Sequence, residues 1–291
     1  TMKKIITLIP VYNDWESLKK LINEINENIR VYNDINFECI IINDASTNQL
    51  IDITKPSKFT SMEILNMKKN RGHARCNAFG IRYIFQNKEF DYLLLMDGDG
   101  EDRPIEINNL IEKINENPDI SVVAKRVKRS EGFLFQLLYQ AHKLITVIFT
   151  GKNINFGNYS CLTQKDVEIL ADKKSLWSSF SGSVKKHISK LNCIESTRGL
   201  RYFGPSKMSL FKLGIHSFSI IAVFKKNVFL RSAFMLVVSS YFSSKAFLLV
   251  SIFQLLLVSF CLLIYFTSIR ENKAALINSS SNQKSIERVT S

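Results

Sequence analysis

Four acids fall within six positions in LLLMDGDGEDRP, residues 93–104: Asp97, Asp99, Glu101 and Asp102. Asp97 and Asp99 lie two apart, so in an extended segment both carboxylates can point the same way, and hard oxygen ligands of that kind suit Mg2+ or Mn2+. Gly98 and Gly100 let the backbone come close to a ligand. Other acid-using devices can be tested on the same letters. An EF-hand loop starting at Asp97 needs Gly at its sixth position and Glu at its twelfth, where this sequence has Asp102 and Asn108. A P-loop enzyme needs a glycine-rich loop closing on Gly-Lys-Ser or Gly-Lys-Thr, and neither occurs. An aspartyl-phosphate enzyme with Asp97 as nucleophile stays open. Alone, Asp-x-Asp also describes an ordinary acidic turn.

These acids need a scaffold, and the first half of the chain supplies one. Short apolar runs (KIITLIPV, FECIIINDAS, DYLLLMD) alternate with amphipathic stretches (SLKKLINEINENI, GHARCNAFGIRYIF). Continuously apolar strands separated by such helices predict an α/β domain with a mainly parallel sheet covered on both faces. Ligands of open sheets bind beyond the carboxyl ends of the strands, where PVYND, NDAST and DGDGED are all polar. The apolar run at the start is short, contains Pro10 and has no small-residue cleavage site, so it reads as a first strand. Five scattered cysteines without a CxxC pair suit a reducing compartment and no thiolate metal site.

Charge divides the chain. Residues 1–120 hold 15 Lys and Arg against 19 Asp and Glu, and residues 121–291 hold 24 against 7, so the second half must meet something anionic. Residues 246–267 run for 22 positions without a charge, enough to cross the ~30 Å hydrocarbon core as a helix. The preceding stretch is apolar too, with Arg231 near its start, where a long side chain can reach the headgroups. A transmembrane hairpin at about 228–244 and 246–267 is the preferred expectation; one span plus an interfacial helix is the alternative. Lys225, Lys226, Arg231, Arg270 and Lys273 flank the hairpin and place both ends in the cytoplasm by the positive-inside rule. FLFQLLYQAHKLITVIF, residues 133–149, suits a helix on a membrane surface or, equally, a core helix. The tail from residue 271 is expected to be disordered.

Four motifs in order, IPVYND, INDASTN, NRGHARCNAFG and LLLMDGDGEDRP, resemble the family 2 glycosyltransferases with the nucleotide-sugar-binding GT-A fold. AKRVKR, NFGNYSCLTQKDVEIL and RYFGPSK further resemble the polyprenyl-phosphate branch, which includes the dolichyl-phosphate mannose synthases; the likeness covers roughly residues 4–220. It implies a nucleotide-sugar-binding part over 1–120, an acceptor-binding part with interfacial helices over 121–225, the hairpin over 226–270 and the tail over 271–291. It also implies that Pro10, Tyr12 and Asn13 line the nucleotide pocket, that Asp44 hydrogen-bonds the base, and that Arg75, near a helix start, meets an anionic ligand. Asp44 reads on its own as a turn or N-cap residue before Ser46 and Thr47, and Arg75 as part of a solvated helix face.

By the same likeness Asp97 faces ribose and metal and Asp99 holds the metal against both phosphates. Glu101 or Asp102 would serve as a base for a hydroxyl acceptor. A polyprenyl phosphate is already an anion and needs cations instead, for which Arg126, Arg129, Arg201 and Lys207 are the candidates, although attraction to anionic headgroups explains such residues equally. None of the four histidines shows a spacing of interest, and Trp15 and Trp177 read as packing residues. The expected protein is an inverting, metal-dependent hexosyltransferase, multi-pass in the cytoplasmic (inner) membrane with its catalytic domain in the cytoplasm. Its partners would be a nucleotide sugar, a polyprenyl phosphate and the bilayer, with self-association open and nucleic acid not among them. Transfer to a hydroxyl of a lipid-linked glycan and a non-catalytic membrane partner are the competing expectations.

Overall fold

A computed structural model describes residues 2–128, 133–204, 209–242, 244 and 246–290. One eight-stranded sheet organises it. β1 (Lys3–Val11), β2 (Ile35–Asn43), β3 (Phe59–Met67) and β4 (Tyr92–Leu95) come first, followed by β5 (Val122–Lys128), β6 (Phe156–Thr163), β7 (Asn192–Thr197) and β8 (Gln283–Arg288). Their spatial order is β7-β5-β6-β4-β1-β2-β3-β8. β4, β1, β2 and β3 run parallel, whereas β6 is antiparallel to both its neighbours and β8 is antiparallel to β3. The sheet is therefore mixed and mainly parallel, as the alternating pattern predicts. It also continues through residue 120, so the expected division there falls inside one sheet.

Both faces are covered because side chains alternate along a strand. Ile5 and Ile9 of β1 share one core with α1 (Trp15–Ile29) and the helix Ile107–Glu116, which is α3. Ile6 and Leu8 share the other with α2 (His73–Asn87), α5 (Gln164–Ala171) and α6 (Phe180–His187). α1 buries Leu18, Leu21, Ile22, Ile25 and Ile29, the spacing of one helical face. α2 lies unusually close to the sheet: a Cβ on Gly80 would stand 2.6 Å from Leu8 Cδ1, which leaves room for hydrogen alone.

Four apolar helices lie outside these two layers: α4 (Phe133–Thr150), α7 (Leu210–Ala222), α8 (Lys225–Tyr241) and α9 (Phe247–Ser268). Among the described residues only α9 is long and apolar enough to cross a membrane. The two-span expectation is corrected to that extent, since α8 has 17 residues and carries Lys225, Lys226 and Arg231 in its first two turns. Arg231 is exposed and its Nη1 donates to the Ile148 carbonyl at 2.9 Å, while Asn227 Nδ2 donates to the Thr150 carbonyl at 2.9 Å, so the start of α8 caps the end of α4. α8 and α9 pack antiparallel, with Lys225 Nζ donating to Ser268 Oγ at 3.1 Å and Gln254 Nε2 to Ser240 Oγ at 2.9 Å. α4 is no core helix, for Leu137, Leu138 and Leu144 are exposed on it.

The tail expected to be disordered is ordered. After α9 it forms α10 (Lys273–Ile277), whose Leu276 is buried against the α2 side of the sheet, and then β8. β8 has no apolar alternation to announce it. It is held by backbone pairing with the open edge of β3 and by Asn66, whose Nδ2 donates to Glu287 Oε1 at 2.6 Å and Ser285 Oγ at 3.2 Å. A polar strand that covers a sheet edge leaves no period for sequence reasoning to detect.

Candidate active site

The acidic loop begins where β4 stops, beside the end of β1. Gly98 is pressed against that end: a Cβ there would lie 2.9 Å from the Pro10 carbonyl oxygen. Gly100 takes a φ of 86°, a left-handed conformation that glycine adopts without cost, and a Cβ would strike the Tyr202 ring. Two acids close the loop on itself. Asp102 Oδ2 accepts the Asp97 N–H at 2.9 Å, and Asp99 Oδ1 accepts the Glu101 N–H at 3.0 Å.

Asp97 is then fixed from the side of β6 and α2. Asn158 Nδ2 donates to its Oδ1 at 3.0 Å, and His73 Nε2, on the first residue of α2, stands 3.1 Å from the same oxygen. Burial by itself raises the Asp97 carboxyl. The charge and hydrogen bond of His73, the charge of Arg126 on β5 and the Asn158 amide outweigh it and hold Asp97 well below the usual carboxylate range. Asp99 and Asp102 move the other way. Burial and the neighbouring Asp97 and Glu101 push Asp99 up to about 6, against the Glu101 N–H and Arg201. Burial and Asp97 push Asp102, 5% exposed, up to about 7 against Arg126.

A strap over residues 198–204 lies across the loop. Arg201 Nη1 donates to Asp99 Oδ2 at 2.6 Å while its Nη2 reaches Asp14, just past β1. Arg198 pairs with Glu101, the Gly199 N–H donates to the Glu101 carbonyl at 2.8 Å and the Tyr202 N–H to the Asp99 carbonyl at 3.0 Å. Tyr202 also hydrogen-bonds Glu24 through its hydroxyl, under Lys20 at 4.4 Å from the ring centroid. Asp97, Asp99, Arg126 and Arg201 thus come together from three separate stretches of chain. Arg129 and Lys207 lie outside the described residues.

On the β1–β2 side, Asn13 knits two loops together. Its N–H donates to Ser46 Oγ at 2.9 Å, and its Oδ1 accepts the Thr47 N–H at 2.8 Å and the Asn48 N–H at 3.1 Å. Pro10 stands at the strand end and Tyr12 is 38% exposed beside it. Asp44 is 4% exposed and spends both oxygens on the loop before α2, accepting from the Arg71 and Gly72 N–H groups at 2.9 Å each. The turn before Ser46 is closed instead by Asn43, whose Oδ1 accepts the Ser46 N–H at 2.9 Å. Arg75 lies 5.6 Å from the Trp177 ring, and its charged neighbours are Arg270 and Arg71 rather than the loop acids. Four members of the constellation escaped sequence reasoning: Asp14, His73, Asn158 and Arg198. The first three stand inside quoted motifs, but nothing in their spacing says which acid they meet.

Among the described residues no cluster of three or more His, Cys, Asp and Glu side chains forms a metal cage. Asp97 and Asp99 nonetheless offer hard carboxylate oxygens of the kind that would suit Mg2+ or Mn2+. A divalent cation bound there would offset the crowding of acids that pushes Asp99 and Asp102 upward.

The family model described as Glycosyl transferase family 2 matches residues 7–178. Undecaprenyl-phosphate 4-deoxy-4-formamido-L-arabinose transferases of Salmonella choleraesuis (strain SC-B67) and Salmonella paratyphi B are each 27% identical over 162 residues, 55% of this chain and 48% of theirs. The chain therefore spans about half the length of the curated relatives it matches. Glucosyl-3-phosphoglycerate synthase of Mycobacterium tuberculosis, crystallised with Mn2+, UDP-glucose and phosphoglyceric acid, superposes with a TM-score of 0.54 at 10% identity over 78% of this chain and 80% of that one. The same enzyme with Mg2+ and UDP gives 0.50 at 11% identity over 78% and 79%. At such identity the likeness establishes the fold, a GT-A-type mixed sheet with flanking helices.

Proposed function

Since the chain belongs to glycosyl transferase family 2, we propose that it moves a hexose from a UDP- or GDP-sugar to a polyprenyl phosphate at the cytoplasmic leaflet, with inversion at the sugar carbon. The observation that carries this reading is the meeting of Asp97 and Asp99 with Arg126 and Arg201 at the carboxyl ends of the strands. Opposite charges there suit two phosphate-bearing reactants, one brought in through a cation and one through guanidinium groups. The names of the Salmonella relatives support the acceptor class.

Asp99 and Asp97 would hold an Mg2+ or Mn2+ ion, which when bound neutralises the charge growing on the departing diphosphate. Asn158 and His73 orient Asp97. Arg201 leaves its position between Asp14 and Asp99 to pair with phosphate oxygens, and the strap carrying it closes over the site. Arg126 steers the acceptor phosphate, whose oxygen attacks C1 while the sugar gains oxocarbenium character. Tyr12, Pro10 and Asn13 line the base side, and Asp44 acts there by holding the loop before α2. Both base candidates are already engaged, Glu101 by Arg198 and Asp102 by the Asp97 N–H. That favours an acceptor arriving as an anion over one arriving as a hydroxyl.

The membrane enters through α9, with α8 alongside it. α8 packs antiparallel beside it, with its start level with the end of α9. Exposed Leu230, Phe234 and Val237 on α8 and Leu248, Leu255 and Leu256 on α9 match acyl chains. A panel of UDP- and GDP-sugars tested with undecaprenyl and dolichyl phosphate checks the assignment. An acid-labile sugar phosphodiester is the expected product; a stable glycosidic product moves the reading to a hydroxyl acceptor.

A further inference from the structure

The level at which α8 begins and α9 ends is marked by the contact of Lys225 with Ser268. Four ammonium groups gather around it from three parts of the chain: Lys174 in the turn after α5, Lys186 in the last turn of α6, and Lys225 and Lys226 at the start of α8. Lys186 is tied down by donating from Nζ to the Val223 carbonyl at 2.7 Å, at the end of α7. Burial and the like charges of Lys174, Lys225 and Lys226 lower its pKa. The carboxylate acting on it is that of Glu271, whose side chain is 2% exposed and lies 3.7 Å from Lys174, with Oε1 unpartnered among the described residues. Four cations against one sunken carboxylate leave a positive patch. None of the four is among the groups acting most strongly on Asp97, Asp99 or Asp102.

The partner's chemistry follows from what adjoins the patch. Exposed apolar side chains begin on the same helix one turn further along, at Leu230, and continue through Phe234. A small phosphate satisfies the lysines alone, whereas a molecule with a phosphate and an acyl chain joined together satisfies both surfaces. We propose that the Lys174–Lys186–Lys225–Lys226 patch binds the phosphate of an anionic phospholipid headgroup and so sets the depth of α8 and α9 and the stance of the catalytic domain on the bilayer. This rests on the membrane reading of those helices.

The test is native mass spectrometry of the full chain in detergent, with phosphatidylglycerol and phosphatidylcholine supplied equally. The wild type is expected to retain phosphatidylglycerol preferentially. At roughly five-fold per cation, Lys186→Gln with Lys226→Gln should lower that retention roughly 10- to 30-fold and leave phosphatidylcholine unchanged. Equal retention by the variant, absence of preference in the wild type, or displacement of the lipid by inorganic phosphate overturns the proposal. Flotation with phosphatidylcholine vesicles separates the two readings: protein that does not float fails the membrane reading, while protein that floats without headgroup preference fails only this one. Should the double variant melt early, the exposed Lys226→Gln alone carries the same comparison with a five-fold expectation.

Discussion

Asp99→Asn separates catalysis from folding. Asp99 and Arg201 form an ion pair at 2.6 Å with side chains 17% and 16% exposed, and breaking a buried pair by removing one charge costs about 3–5 kcal/mol where the other is left alone. Here it is not left alone, because Arg201 keeps Asp14 and the amide keeps an oxygen for the Glu101 N–H. The surroundings also disfavour the charge being removed. A carboxyl pushed from 3.8 to about 6 carries a net penalty of about 3 kcal/mol in its ionised form. In EDTA the variant should therefore melt at or slightly above the wild-type temperature. Asp97→Asn, whose carboxylate the fold stabilises, should melt lower. Transfer should fall with Asp99→Asn by about 10²- to 10³-fold, the scale for losing one group that stabilises developing charge. Radiolabelled sugar transfer to undecaprenyl phosphate, run beside differential scanning fluorimetry, reads both. Unchanged turnover refutes the role of Asp99, and an early melt refutes the electrostatic accounting.

Chelation with EDTA should abolish transfer, with recovery on adding Mg2+ or Mn2+, measured in the same assay. Asn158→Ala frees Asp97 on one side and should lower kcat about 10- to 100-fold, as outer-shell partners of metal ligands do, with the fold intact by circular dichroism. His187, whose Nε2 lies 3.1 Å from Ser175 Oγ, is driven down to about 4 by burial, Lys186 and Lys173. Its neutral form is the folded one, so it contributes stability above pH 6.5 that is lost as pH falls from 6.5 towards 4; melting of His187→Gln should be flatter over that window. Deleting residues 272–291 removes β8 and uncovers the edge of β3, and should lower the melting temperature by several degrees and raise light scattering at micromolar concentration.

Strands β1, β2 and β4 and helices α1 and α2 were legible because burial on both faces writes an unbroken apolar run and a single helical face writes a 3.6-residue period. Asp97 and Asp99 stood out as candidates through the order of motifs around them, since Asp-x-Asp alone also describes an acidic turn. Arg201 was legible as a cation of the site, but its partners were not: Asp14 lies 187 residues away from it, and only the return of the strap across the ends of β1 and β4 brings the two together. The same holds for His73 and Asn158, which are 85 residues apart and converge on one oxygen. Arg75, expected to meet an anion, stands beside Trp177 with Arg270 and Arg71 as its charged neighbours, since a helix start does not tell which way a cation turns.

The sequence by itself determined the kind of sheet, the position of the acidic loop at its carboxyl edge and the apolar helix α9. These follow from local periodicity and from composition within one segment. Tertiary structure decided which acid is ionised and which is pushed towards protonation, that the polar tail closes the sheet as β8, and that α8 caps α4 instead of standing free. Each of those depends on a hydrogen bond or charge supplied from a distant part of the chain, and such distances leave no period in the letters.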